Sequence, residues 1–285
     1  MRCHTRPDRD DTGRAAPVHV EIAVLGRFSV SINGIPTASR GWTRRNAAAL
    51  VKILALTPGH RLHRERMMDL LWPDEPPERC APRLHKAAHY ARQTAGRQDA
   101  IVLRDDLVWL FPGADITVDA LRFEQLARAA VVADDSFAAQ QALEWYRGEL
   151  LPEDRYEDWA ADRRELLHLR QLDLLRVAGQ WRELAEQDPT HEAAHIELIR
   201  RQLAAGDRFA ALRQYQHLER LLDRELGVAP SEDAQRVWRE ATRLDGEAST
   251  SSRVGQLLVE LADLVTRQSA VLAELAAADA VHSAA

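Results

Sequence analysis

The sequence predicts a mainly α-helical chain with a small β component: a winged helix-turn-helix followed by a tetratricopeptide-like, all-helical domain. Three observations carry this expectation. Residues 18–35 alternate apolar and polar side chains between turn residues. Three helical segments follow, and then a β-rich pair of runs over residues 101–111. Beyond residue 118 only helical periodicities recur.

Taken in order, residues 1–17 are polar and charged, without the apolar run of a secretory signal, and read as a disordered tail. Residues 18–35, VHVEIAVLGRFSVSINGI, read as two or three short strands of an antiparallel sheet, punctuated by Gly26 and Asn33-Gly34. The first helix is expected to be capped by Thr43, to carry an apolar stripe of Ala47, Leu50, Val51, Leu54 and Ala55, and to stop at Pro58-Gly59. A second helix spans 64–72, and a third spans 78–95 with Gly96 as its stop. Asp105-Asp106 then turns a hairpin, a weaker turn pair than Asp-Gly.

Residues 18–118 thus form one domain. Residues 119–245 form a helical one, with patterns at 120–132, 137–150, 156–186, 191–205, 209–226 and 232–244. Residues 191–224 fit a tetratricopeptide-like helix pair, in which Leu198 packs the first helix, Ala205-Gly206 turns, and Ala211 with Tyr215 packs the second. Residues 246–253 are a linker. A heptad helix over 254–280 follows, with Val254, Leu257, Leu261, Leu264, Gln268, Val271 and Leu275 on one seam. That seam predicts a homodimer, with Gln268 fixing register.

The net charge of −6 hides an asymmetry: residues 1–118 hold 18 Lys+Arg against 13 Asp+Glu, and residues 119–285 hold 20 against 31. A basic front and an acidic back suit a nucleic-acid binder joined to something else. No apolar stretch approaches the ~18 residues of a membrane span. The two cysteines, Cys3 and Cys80, make no disulfide framework, so a reducing, cytoplasmic setting is expected.

The third helix carries the candidate chemistry. At ~100° per residue, Leu84, Ala88, Ala91 and Ala95 share one narrow face. Arg79, His85, Lys86, His89, Tyr90 and Gln93 fall opposite, with Arg83 at the margin. The outer face offers cations, imidazoles, a phenol and an amide, and no carboxylate. Such a helix suits a DNA major groove. Arg104 at the hairpin could touch a phosphate, although Asp105 and Asp106 beside it repel one.

Other chemistries are weakly supported. His85 and His89 are four apart, as zinc ligands can be, but Cys80 lies on the other side and a fourth ligand is lacking, so no metal is expected. No phosphate-binding loop or hydrolase motif is present, so neither a cofactor nor catalysis is expected. The aromatics Trp145, Tyr146, Tyr156 and Trp159 read as helix packing more than as a recognition surface.

Residues 45–96, from RNAAALVKILALTPG through DLLWPDEPP to the third helix, together with ITVDALRF after the hairpin, resemble the OmpR-type winged helix of the Streptomyces antibiotic regulatory proteins. ALEWYRGELLPEDRYEDWAADRRELL and AAGDRFAALRQYQHLERLLDRELGVAPSED are similar to the bacterial transcriptional activator domain of the same proteins. The resemblance implies a regulator that binds direct repeats in double-stranded promoter DNA and recruits RNA polymerase. By position it implies DNA contacts at Arg83, Lys86, His89 and Tyr90, and a polymerase-contact loop at Pro73, Asp74, Glu75, Pro76, Pro77 and Glu78. The chain departs from the family at Asp105-Asp106-Leu107, where Gly-Gly-Tyr is usual. It also departs at Ala88, Ala91 and Ala95, where bulkier residues are usual, and at Tyr90, where arginine is. A different class remains open: a protein-interaction adaptor with a degenerate winged helix and a helical scaffold, which the acidic wing favours. The sequence leaves any small-molecule effector unknown.

Overall fold

The computed structural model describes residues 18–37, 41–243, 264 and 268. The chain packs as two compact units, residues 1–180 and 181–285.

In the first unit, β1 (His19–Ala23), β2 (Ser29–Ile32) and β3 (Ile35–Pro36) form an antiparallel meander. Val20 and Ile22 face inward and Glu21 outward, as the alternation predicts. Next come α1 (Arg45–Leu56), β4 (Arg61–His63), α2 (Arg64–Leu71), α3 (Pro77–Ala95), β5 (Ile101–Arg104), β6 (Leu107–Leu110) and β7 (Asp115–Val118). β4, β6 and β5 make the second sheet in that order, with β5 and β6 as the wing hairpin. β7 lies parallel to β1, pairing Val20 with Ile116 and Ile22 with Val118. This is a winged helix.

Two details of α1 differ from expectation. Thr43 does not cap it: the N-cap is Arg44, and no side chain bonds the first turn. The helix is also buried nearly all round from Ala47 to Ala55, Lys52 included, rather than along one stripe. It packs against α2, α3 and β6, so little of its surface is left for water.

The same unit continues into α4 (Asp119–Ala133), α5 (Ser136–Leu143) and α6 (Asp158–Val177). Asp135 caps α5 by accepting the Phe137 and Ala138 N–H groups. The helix expected over 137–150 stops at Leu143. Residues beyond it are needed elsewhere: Leu150 bridges Leu25, and Leu151 N–H donates to Val24 O at 2.9 Å. Here the backbones crowd, because a Cβ on Gly26 would lie 3.2 Å from the Arg147 carbonyl oxygen, and Gly26 has φ +79°. Of the four aromatics of this stretch, Trp145, Tyr146 and Trp159 pack on the core. Tyr156 is 96% exposed.

Asp119 joins the two halves of the unit. Its carboxylate accepts the N–H groups of Val24, Leu25 and Ala120 at 2.7–3.0 Å. Burial pushes this carboxyl above the usual range, and the three donors pull the other way without reversing it. One continuous core runs from Val20 and Leu54 through Phe123 and Leu150 to Leu167 and Val177.

The second unit holds α7 (Trp181–Gln187), α8 (Glu192–Ala204), α9 (Arg208–Leu226) and α10 (Glu232–Arg243). The helix expected over 156–186 is interrupted, because Gly179 adopts φ +67° and ends the run. α8 and α9 form the helix pair, turning at Ala205-Gly206 with Asp207 capping α9. Ala211 and Tyr215 are buried as expected, but Ile199, not Leu198, is the fully buried residue of that part of α8. α10 packs on both. His195 is buried; its Nε2 bonds the Pro189 carbonyl at 3.0 Å and its Nδ1 faces Gln214 at 2.7 Å. Desolvation lowers its pKa.

The tail 1–17, the linker 246–253 and the seam positions Val254, Leu257, Leu261, Val271 and Leu275 lie outside the described residues. Leu264 and Gln268 are helical and exposed. Among the described residues, no helix is long and apolar enough to cross a membrane.

Candidate nucleic-acid interface

α3 is set up by its ends and its seam. Pro77 opens the first turn, where no N–H is needed, and Gly96 closes the helix at φ +67°. Leu84, Ala88, Ala91 and Ala95 are buried, with Cys80 and Ala87 beside them. The alanines that depart from the family pattern therefore do form the seam, with smaller side chains. Cys80 points into the core, away from the exposed His85 and His89, so the three do not converge.

The expected readers separate into groups. Arg79, His85, Lys86, His89 and Gln93 are exposed. Tyr90 is half-buried; its ring meets His89 edge-on at 5.6 Å and lies 4.7 Å beneath the Arg44 guanidinium. Arg83 is engaged already: it pairs with Glu75 and stacks 4.6 Å over Trp72. It thus ties α3 to the preceding turn; Pro73, Asp74, Glu75 and Pro76 of that turn, and Pro77 and Glu78 at the start of α3, are all exposed. Arg92, which sequence reasoning passed over, donates to the Ile101 carbonyl at 2.8 Å and fastens α3 to the wing.

Sequence reasoning also missed the start of α1. Arg44, Arg45 and Asn46 join Arg83, Lys86 and Tyr90 around a cleft of about 310 Å³. The signal was present as adjacent arginines at the start of the helix, but it acquires meaning only when α1 packs against α3.

In the wing, Asp105 and Asp106 both adopt positive φ, 54° and 57°, a backbone that suits Asn-Gly better. Asp105 neutralises Arg104 at 3.0 Å and Asp106 meets Arg64 at 3.5 Å; Arg104 and both aspartates are exposed and Arg64 is half-buried. Replacing Asp105 by Asn and Asp106 by Gly together should stabilise the protein by about 0.5–1 kcal/mol, because the turn strain exceeds the worth of an exposed ion pair. The same double variant should bind duplex DNA several-fold more tightly at low salt, an advantage that fades as salt rises. Thermal melts and anisotropy titrations check both. Unchanged affinity at low salt would mean that the wing stays clear of DNA.

Residues 118–241 match the family model of the bacterial transcriptional activator domain. The chain carries that domain. The match bears out the resemblance of this stretch to the bacterial transcriptional activator domain, a domain of transcription regulators. Among solved structures, Mycobacterium tuberculosis EmbR in complex with a low-affinity phosphopeptide is similar in fold, with a TM-score of 0.60 at 18% identity over 86% of this chain and 71% of that one. No curated protein matches the chain by sequence. The activator-domain match opens at residue 118, beside the 118/119 boundary expected from the sequence, whereas compact packing divides the chain at 180/181. The first three activator-domain helices are thus packed in one unit with the winged helix.

Proposed function

We propose that this regulator binds double-stranded promoter DNA by laying α3 in the major groove, and that it activates transcription from direct-repeat sites by recruiting RNA polymerase. The observation that carries the reading is the outer face of α3, which exposes Arg79, His85, Lys86, His89 and Gln93 and no carboxylate between Arg79 and Gln93. Lys86 and Arg79 neutralise phosphates and set affinity, while His85, His89 and Gln93 read base edges and set specificity. The exposed 73–78 segment offers Asp74 and Glu78 to polymerase beside the outer face of α3, with Glu75 held by Arg83. The heptad helix pairs two copies into a homodimer, in the bacterial cytoplasm.

The test is selection of bound sequences from a random duplex pool, followed by anisotropy on the enriched site. Gln93→Ala and His89→Ala should each cost about 1–3 kcal/mol on that site and relax preference at one base position. Lys86→Ala should weaken all sequences alike. If no sequence is enriched and the full chain fails to bind any duplex at low salt, an adaptor with a degenerate winged helix, the reading that the acidic wing favours, replaces this one.

A further inference from the structure

We propose that the cleft between the start of α1 and the outer face of α3 seats one backbone phosphate of bound DNA, held by Arg44 and Lys86 and completed by Arg45. The inference rests on the DNA-binding reading and adds a contact outside the recognition helix.

The cleft is lined by Arg44, Arg45, Asn46, Arg83, Lys86 and Tyr90, with two alanines and no carboxylate. Its four cations are not equivalent. Arg83 is satisfied by Glu75 and Arg45 by Glu157. Arg44 and Lys86 have no carboxylate partner among the described residues. The Tyr90 ring lies 4.7 Å beneath the Arg44 guanidinium. A guanidinium stacked on a ring keeps its in-plane N–H groups free to fork an oxyanion. Tyr90 is therefore a positioning residue for Arg44 rather than a reader of bases.

Arg45 is the movable member. Its side chain is 81% exposed, so its pair with Glu157 is a weak one that a phosphodiester can displace. Arriving DNA would thus draw Arg45 away from the residue that N-caps α6. The source of the phosphate is the duplex, because the cleft adjoins the face of α3 that would occupy the groove.

Phosphate contacts are blind to sequence, so a random-sequence duplex serves as the probe. Full-length protein is titrated by fluorescence anisotropy across a potassium chloride series, and the folding of each variant is checked by circular dichroism. Arg44→Ala should lose about threefold to tenfold in affinity at low salt and shorten the log K against log salt slope by about 0.9, the value of one phosphate contact. Glu157→Gln, which still offers an oxygen to the Trp159 N–H now held at 3.1 Å, should bind more tightly than wild type because Arg45 is released. If wild type binds the duplex and Arg44→Ala keeps the wild-type slope, the cleft is not a DNA-phosphate site. The cleft is equally ruled out as one if inorganic phosphate binds wild type in an Arg44-dependent way while the slope stays unchanged. If wild type itself binds no duplex, the underlying DNA reading fails and this proposal fails with it.

Discussion

Lys52→Ala is expected to lower the melting temperature of the first unit by roughly 10 °C or more, corresponding to about 3–5 kcal/mol. Lys52 sits mid-way along α1 with its side chain 5% exposed, paired with Asp154, whose side chain is 12% exposed. Its ammonium also lies 4.7 Å over the Phe28 ring. Removing the lysine strands a carboxylate in a site that water barely reaches, and the loss is mainly that of an unpaired buried charge. A double variant tests this cause against simple loss of packing. Lys52→Met with Asp154→Leu removes both charges and keeps apolar volume, so it should recover most of the stability. If Lys52→Met alone melts like wild type, Asp154 finds water or another partner and the pair is not what holds α1.

Asp119→Ala is expected to cost a comparable amount, about 3–5 kcal/mol. Three backbone N–H groups converge on this carboxylate, two of them at the end of β1, where the chain leaves the sheet. Alanine leaves all three without an acceptor in a buried place. Asparagine should fare little better, because its amide presents N–H groups where one of the two oxygens now accepts. Chemical denaturation with hydrogen exchange at Val24 and Leu25 reads both effects: the midpoint falls, and these two amides lose protection ahead of the core. Equal protection in Asp119→Ala and wild type would show that the β1 end is held by its other contacts alone.

Much of this fold was legible in the sequence because it is written in periodicities. Val20, Ile22 and Val30 alternate inward, and Leu84, Ala88, Ala91 and Ala95 mark the seam of α3 at helical spacing. The misses share a cause, which is that distant partners override local pattern. β7 is four residues long and gains its meaning from β1, some 95 residues earlier. Residues 144–150 carry helix-compatible side chains apart from Gly148, yet Leu150 and Leu151 are drawn out to meet Leu25 and Val24. Among the candidate readers, exposure followed from the helical wheel, but engagement did not. Nothing local to Arg83 reveals that Glu75 and Trp72 would claim it, and nothing local to Tyr90 reveals Arg44 above it.

The unbroken core from Val20 to Val177 also bears on how such regulators exchange parts. A splice at residue 118, where the family domain opens, would cut through the packing of Val118, Phe123 and Leu150 and sever Asp119 from Val24 and Leu25. An exchange that preserves this packing would therefore have to carry the winged helix and the first three activator helices as a single block. Recombination that exchanges the winged helix while keeping both partners folded would have to cross at about residue 180, so that α4 to α6 travel with the winged helix they buttress.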